Sequence, residues 1–229
     1  MRPGTETLAA LPLLGAFSAA QIATLNRHAD LARLGADEML FREGEPLTEL
    51  NIVLSGFVGE THGRNGETAI ADVIGPGRPV GFASAMLGVP PPTGARTITS
   101  ARLIVLPADE LRDMIRARLA LALPFLDHAL AAMREQTVEL CALKLRSSVQ
   151  RLAAFLLGLV DDPAASPARF VLPYEKRYLA ARIGCTQENL SRAFAALRGH
   201  GVETQHGVVV LRDVPGLRAF AGLPALAPA

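Results

Sequence analysis

Apolar and polar positions change their period several times along the 229 residues, and each change predicts a different element. From about Leu8 to Ala32 the spacing is helical, with a break at Gly15. Between Ala36 and Leu106 the texture turns to short β-compatible runs, among them NIVLSGFVGE, ETAIADVI and ARTITSARLIVLP. Glycines at 44, 56, 59, 63, 66, 75, 77, 81 and 88 punctuate these runs. Strands so spaced predict a small antiparallel barrel or jelly roll, with GVPPPTG as a loop. Pro107-Ala108-Asp109 opens a short helix. A long helix comes next, from about Leu119 to Leu145, along which Leu123, Leu126, Leu130, Met133, Thr137, Leu140 and Lys144 recur at spacings of three and four. That is a heptad seam, which packs either on the chain's own barrel or on a second copy.

The C-terminal third repeats the change at shorter range. SSVQRLAAFLLGLV, Ser147 to Val160, has a continuous apolar face suited to a supporting helix; DDPAASPA breaks it, and FVLP reads as a short strand. In LAARIGCTQENLSRAFAAL, Leu179 to Leu197, Ala180 is small where two helices must cross, and Gly184 falls where a tight turn needs φ > 0. Thr186 supplies a hydroxyl N-cap, and Leu190, Phe194 and Leu197 mark one buried face of a new helix. The opposite face carries Gln187, Glu188, Ser191 and Arg192, the last three projecting together at i, i+3 and i+4. This is the pattern of a helix-turn-helix, whose second helix enters the major groove. The same spacing also suits an ordinary helical hairpin with a solvated Glu–Arg pair. The residues after Gly201 favour the first reading: VETQHGVVVLRD forms two apolar runs about a His206-Gly207 turn, a hairpin placed as the wing of a winged helix against the phosphate backbone.

Charge changes the picture in the same direction. The net +1 divides into 12 Lys+Arg against 16 Asp+Glu from Met1 to Leu140, and 11 against 6 from Cys141 onward. A basic C-terminal module beside an acidic partner fits nucleic-acid binding confined to one end. Cys141 and Cys185 lie in apolar helical contexts and read as small core residues of a protein in a reducing cytoplasm. They cannot build a four-thiolate iron–sulfur or zinc site within one chain. No run of 18 apolar residues and no export signal occurs, so a cytoplasmic protein without a membrane is expected. No G-x-S-x-G, HExxH, P-loop or paired-carboxylate constellation is present, and the barrel's acidic residues fall mainly in turns, which argues against an enzyme.

FREGEPLTELNIVLSGFV, QRLAAFLLGL and LAARIGCTQENLSRAFAALRGHGV together make the chain resemble the Crp/Fnr family of bacterial transcription regulators over essentially its whole length. The resemblance implies an α+β chain: a cyclic-nucleotide-binding-type antiparallel barrel of jelly-roll kind with flanking helices at 1–118, a dimerisation helix at 119–146, and a winged helix-turn-helix at 147–229. The seam Leu123, Leu126, Leu130, Met133 and Leu140 is then expected to join two copies, since operator-binding dimers sit on palindromes. Glu188, Ser191 and Arg192 match the Glu-x-x-Ser-Arg pattern of the Fnr branch, which reads TTGA-type half-sites. A carboxylate accepts from cytosine N4 and a guanidinium donates twice to guanine, while Ser191 packs or bonds near a thymine. Gln187 stands where catabolite-activator-like members place an arginine. Thr186 and Lys176 match positions suited to phosphate contacts.

The effector site departs from the family's cyclic-AMP pattern. Members that bind cyclic AMP place a glutamate after a Phe-Gly pair and an arginine about ten residues later; Phe82 and Pro91 stand at those positions here. With Ala83, Ser84, Gln136 and Thr137 they make the candidate pocket. It would bury a cyclic phosphate without a partner, so cyclic AMP is excluded as effector. The Fnr-type iron–sulfur cluster is excluded as well, because the N-terminal region holds no cysteine. The carbon-monoxide sensor's haem ligands, expected near Phe82 to Ala85, are missing too. What remains resembles the nitric-oxide-responsive denitrification regulators, which keeps haem as a candidate cofactor, with His128 on the long helix as its candidate ligand. The expected function is a homodimeric regulator reading a TTGA-N6-TCAA-like palindrome, with double-stranded DNA, a second copy and RNA polymerase as partners. The competing reading is a ligand-binding or scaffolding module with a degenerate helix-turn-helix.

Overall fold

The computed structural model describes residues 2–64, 67–160, 162 and 165–224, which divide into two units, Met1–Glu135 and Gln136–Ala229. The first opens with α1 (Thr5–Ala9), a 3-10 turn at Pro12–Leu14 and α2 (Ala19–His28). Ser18 and Gln21 close a reciprocal capping box that starts α2. Strands β1 (Asp30–Leu34), β2 (Met39–Phe41), β3 (Glu49–Ser55), β4 (Val58–Arg64), β5 (Glu67–Ile74) and β6 (Pro79–Val80) follow, then α3 (Phe82–Leu87), β7 (Gly94–Thr97), β8 (Ala101–Pro107) and α4 (Ala108–Ala117). They pair as two antiparallel sheets ordered β1-β8-β3-β6 and β2-β7-β4-β5. The expected jelly-roll barrel is present.

β3 and β8 carry continuous apolar runs at 52–54 and 103–106 because both faces of each are covered there. Leu50, Ile52, Ile104 and Leu106 face the helices and join the cluster around Leu8, Leu14 and Leu25. Val53 and Leu103 face the other sheet, in a cluster with Val58, Ile74, Val80 and Ala95. The helical reading to Ala32 needs correction: Asp30–Leu34 is a strand, paired with Ala101–Val105. Its residues DLARL carry no strong strand propensity, and the distant ladder decides their state. α3 is not signalled by the sequence pattern either; it is held between Gly81 and Gly88, both at positive φ. Of the turn glycines, Gly66 lies outside the described residues.

A 3-10 turn at Leu119–Ala122 precedes the long helix α5 (Leu123–Leu145), which runs across the boundary between the units. It starts later than its apolar spacing suggests because Pro124 tolerates only the first turn of a helix. In the second unit come α6 (Ser148–Leu157), β9 (Ala168–Val171), α7 (Lys176–Arg182), α8 (Gln187–Leu197), β10 (Val202–Gln205), β11 (Val208–Leu211) and α9 (Val214–Phe220). Of the breaker DDPAASPA, Asp161, Pro163 and Ala164 lie outside the described residues. Leu152, Leu156, Leu179, Leu190, Leu197, Val209 and Leu217 form one buried core. Each such side chain contributes on the order of 1.5–3 kcal/mol by leaving water. The sheet runs β10-β11-β9, and its hairpin turns at His206 and Gly207 with φ of 49° and 81°, the two positive values a type I′ turn demands. α9 has no counterpart among the elements expected from the sequence, although Asp213 caps it through the Gly216 N–H at 2.9 Å. Cys141 is exposed and Cys185 half-buried. The expectation of a core Cys141 fails because no described α5 residue enters the buried cluster of this unit.

Candidate nucleic-acid interface and effector-type site

The helix pair α7 and α8 is held by small and apolar residues. Leu179, Ala180, Leu190, Ala193, Phe194 and Leu197 are all buried, and Gly184 turns the chain between the helices at φ 68°. Thr186 Oγ1 accepts from the Asn189 N–H at 3.2 Å, satisfying one of the orphan donors at the start of α8. That geometry leaves Gln187, Glu188, Ser191 and Arg192 exposed on the first turns. Arg192 Nη2 donates to Glu188 Oε1 at 2.5 Å, so carboxylate and guanidinium are already side by side. Ser191 Oγ donates to the Gln187 carbonyl at 3.0 Å. Asn189 is exposed on the same turns and is a DNA-facing candidate that sequence reasoning missed. Lys176, at the start of α7, holds its ammonium 5.2 Å from the centre of the Phe194 ring. The β9–β11 sheet has a groove of about 660 Å³ lined by Arg169, Glu203, Thr204, Gln205, His206, Val208 and Val210. Arg212 braces the wing with two bonds to Glu203, at 2.6 and 3.0 Å.

In the first unit the candidate pocket residues stand around α3. Phe82 and Ala83 begin that helix, Ser84 is buried within it, and Pro91 is buried in the loop beyond. The Pro91 carbonyl accepts from the Gly44 N–H at 2.9 Å. Phe82 lies edge-on to His128 of α5, ring centres 4.6 Å apart, and stacks on Phe125 at 6.2 Å. Burial lowers the His128 pKa, and Arg78 lowers it further. Gln136 and Thr137 are exposed and belong to the second unit.

The residue that sequence reasoning missed in this unit is Glu60. It follows the buried Val58 by two positions on β4 and so shares its face. Its Oε1 accepts from the Gly81 N–H at 2.8 Å, at the turn into α3. Burial raises its pKa and the nearby Asp72 adds to this, against the Gly81 bond and Arg78. Glu60 thus escapes the expectation that acidic residues of the barrel sit in turns. Asn51 adds a second acceptor. It is 3 % exposed, pairs with Val80 across β3 and β6, and its Oδ1 has no hydrogen-bond partner among the described residues. Directly opposed residues share a face, so Asn51 points with Val80 into the space between the sheets. Arg78 pairs with Asp72 at 3.1 Å and with Glu135 at 3.6 Å.

A raised carboxylate pKa makes native stability fall as pH rises. The folded protein holds the proton more tightly than the unfolded chain, so stability is lost between the ordinary value of 4.5 and the raised one. Glu60→Gln keeps an acceptor for Gly81 and removes the charge. Thermal melts of the two proteins should therefore coincide most closely at acid pH, with the variant's advantage growing toward neutrality. A difference that is flat with pH contradicts this.

Residues 31–118 match the family of the cyclic nucleotide-binding domain, and residues 150–220 match the Crp-like helix-turn-helix domain. The chain belongs to the Crp/Fnr family of transcription regulators. Its work as a Crp/Fnr regulator is DNA binding, not catalysis. No curated protein matches it. Among solved structures, FixK2 from Bradyrhizobium japonicum is 23 % identical over 87 % of this chain and 99 % of its own, with a TM-score of 0.74. A Crp/Fnr family regulator from Thermus thermophilus is 22 % identical over 84 % and 98 %, with a TM-score of 0.66. A Ruegeria pomeroyi protein whose name proposes cyclic-nucleotide binding is 25 % identical over 96 % and 98 %, with a TM-score of 0.65. These likenesses carry the fold and leave the branch of the family open.

The histidines of this Crp/Fnr chain have structural employment. His28 lies 2.8 Å from Glu110 and His62 2.9 Å from Glu43; His200 stacks on Phe220 at 3.9 Å, and His206 makes the wing turn. The remaining one, His128, packs edge-on against Phe82. Among the described residues no helix is long and apolar enough to cross a membrane.

Proposed function

We propose that this Crp/Fnr regulator acts as a homodimer reading a TTGA-N6-TCAA-like palindrome, with α8 as reading head and an effector other than cyclic AMP. The observation that carries this reading is the exposed row Gln187, Glu188, Ser191 and Arg192 at the start of a capped helix. A carboxylate and a guanidinium 2.5 Å apart can read adjacent cytosine and guanine edges of one half-site. Thr186 and Lys176, at the first turns of α8 and α7, suit the flanking phosphates. Two copies are supported by Leu123, Leu126, Leu130, Met133 and Leu140 of α5, which are between 51 and 61 % exposed. Apolar residues in such a row leave water most readily against a second copy of the same helix. Bound to promoters, the dimer would work in the cytoplasm beside RNA polymerase. Selection from random duplexes should enrich inverted TTGA and TCAA half-sites; enrichment of no palindrome removes this reading.

The exclusion of cyclic AMP rests on polarity. Glu60 and the Asn51 oxygen, which has no hydrogen-bond partner among the described residues, are acceptors inside the barrel, and a cyclic phosphate brings more acceptors to a place that needs donors. Arg78, the cation at hand, is paired with Asp72 and Glu135. Cyclic AMP titrated into the protein is expected to give no saturable heat, and a saturable isotherm overturns the exclusion.

A further inference from the structure

The three donating nitrogens of Arg151, on α6, each serve a backbone carbonyl just past a helix end. Nη1 donates to the Arg146 carbonyl at 2.7 Å, at the end of α5. Nε donates to the Ile183 carbonyl at 2.7 Å and Nη2 to the Gly184 carbonyl at 3.1 Å, both just past the end of α7. Final helix carbonyls lack intrahelical donors and carry the negative end of the helix dipole, so one guanidinium caps two helices at once. Two further links join the same places. Arg182 of α7 pairs with Glu139 of α5. A side chain on Gly184 would come within 2.8 Å of Leu143 Cδ2, which shows how closely α5 approaches the turn.

We propose that Arg151 is a positioning residue: it fixes the Ile183–Gly184 turn, and with it the direction of α8, to the end of the long helix α5. Resting on the reading of α8 as the DNA-reading helix, this makes the aim of the recognition helix follow α5. Lysine cannot replace it, because an ammonium lacks the planar fork that reaches carbonyls on two elements.

The test compares Arg151→Met and Arg151→Lys with Leu156→Val, which loosens the core of the same helix away from the turn. Amide hydrogen exchange at Gly184, Cys185 and Thr186 should speed up roughly tenfold or more in both arginine variants. In Leu156→Val these amides should change only in step with global stability. The affinity ratio between a TTGA-N6-TCAA duplex and a scrambled duplex should fall about tenfold in the arginine variants, and hold in Leu156→Val. If Arg151→Met does not fold, Arg151→Lys carries the comparison. Unchanged exchange at the turn, or full rescue by lysine, overturns the proposal. A wild type that does not prefer the palindrome sinks the DNA-site reading alone, since the exchange measurement is independent of the DNA.

Discussion

Arg192→Ala is expected to weaken binding to the palindrome by roughly 30-fold to 20,000-fold while leaving the fold intact. A guanidinium bonded twice to guanine discriminates by about 1–3 kcal/mol. A symmetric dimer makes that contact in both half-sites, so about 2–6 kcal/mol is at stake. Stability has little to lose. Arg192 and Glu188 are each 73 % exposed, and an exposed pair four residues apart on a helix is worth about 0.3–0.5 kcal/mol. The loss should be specific: the variant ought to stop distinguishing guanine from other bases at the position it reads. Should affinity drop equally for every duplex, with a shallower salt dependence, Arg192 is a phosphate contact and the base reading belongs to another side chain.

The paired substitution Leu130→Asp with Met133→Asp should convert a dimer into monomers. Both side chains are more than half exposed in the single chain, 51 and 61 %, so charge there costs the monomer little. Across a seam between two copies, the same carboxylates are buried without partners, at several kcal/mol each. Both copies contribute, so the expected weakening of assembly exceeds roughly a thousandfold. Sedimentation at micromolar concentration reads the result directly. A variant that sediments like the wild type places the dimer contact elsewhere.

The helix-turn-helix and its wing are legible in the sequence because their signals are local. The buried face of α8 recurs within eight residues, Leu190 to Leu197, Thr186 caps it from the adjacent position, and His206-Gly207 needs only its own backbone to turn a hairpin. The four exposed side chains Gln187, Glu188, Ser191 and Arg192 follow from that period alone. β1 is not legible, because its state is set by Ala101–Val105 on β8, far away in sequence. α3 is a short helix in a glycine-rich stretch, too brief to show a helical period. Glu60 does carry a signal, its place two residues after an inward valine. Its partner, the Gly81 N–H, lies 21 residues on, and no sequence spacing announces that meeting. The structure thus brings a carboxylate to the start of α3 from another strand, where the sequence of α3 itself has none.

The most direct test of the account is a titration of wild-type protein into two labelled duplexes at physiological salt, one carrying TTGA-N6-TCAA and one scrambled. A complex of two chains per palindrome is expected, at least about a thousandfold tighter than on the scrambled duplex. Equal affinity for the two duplexes would contradict it.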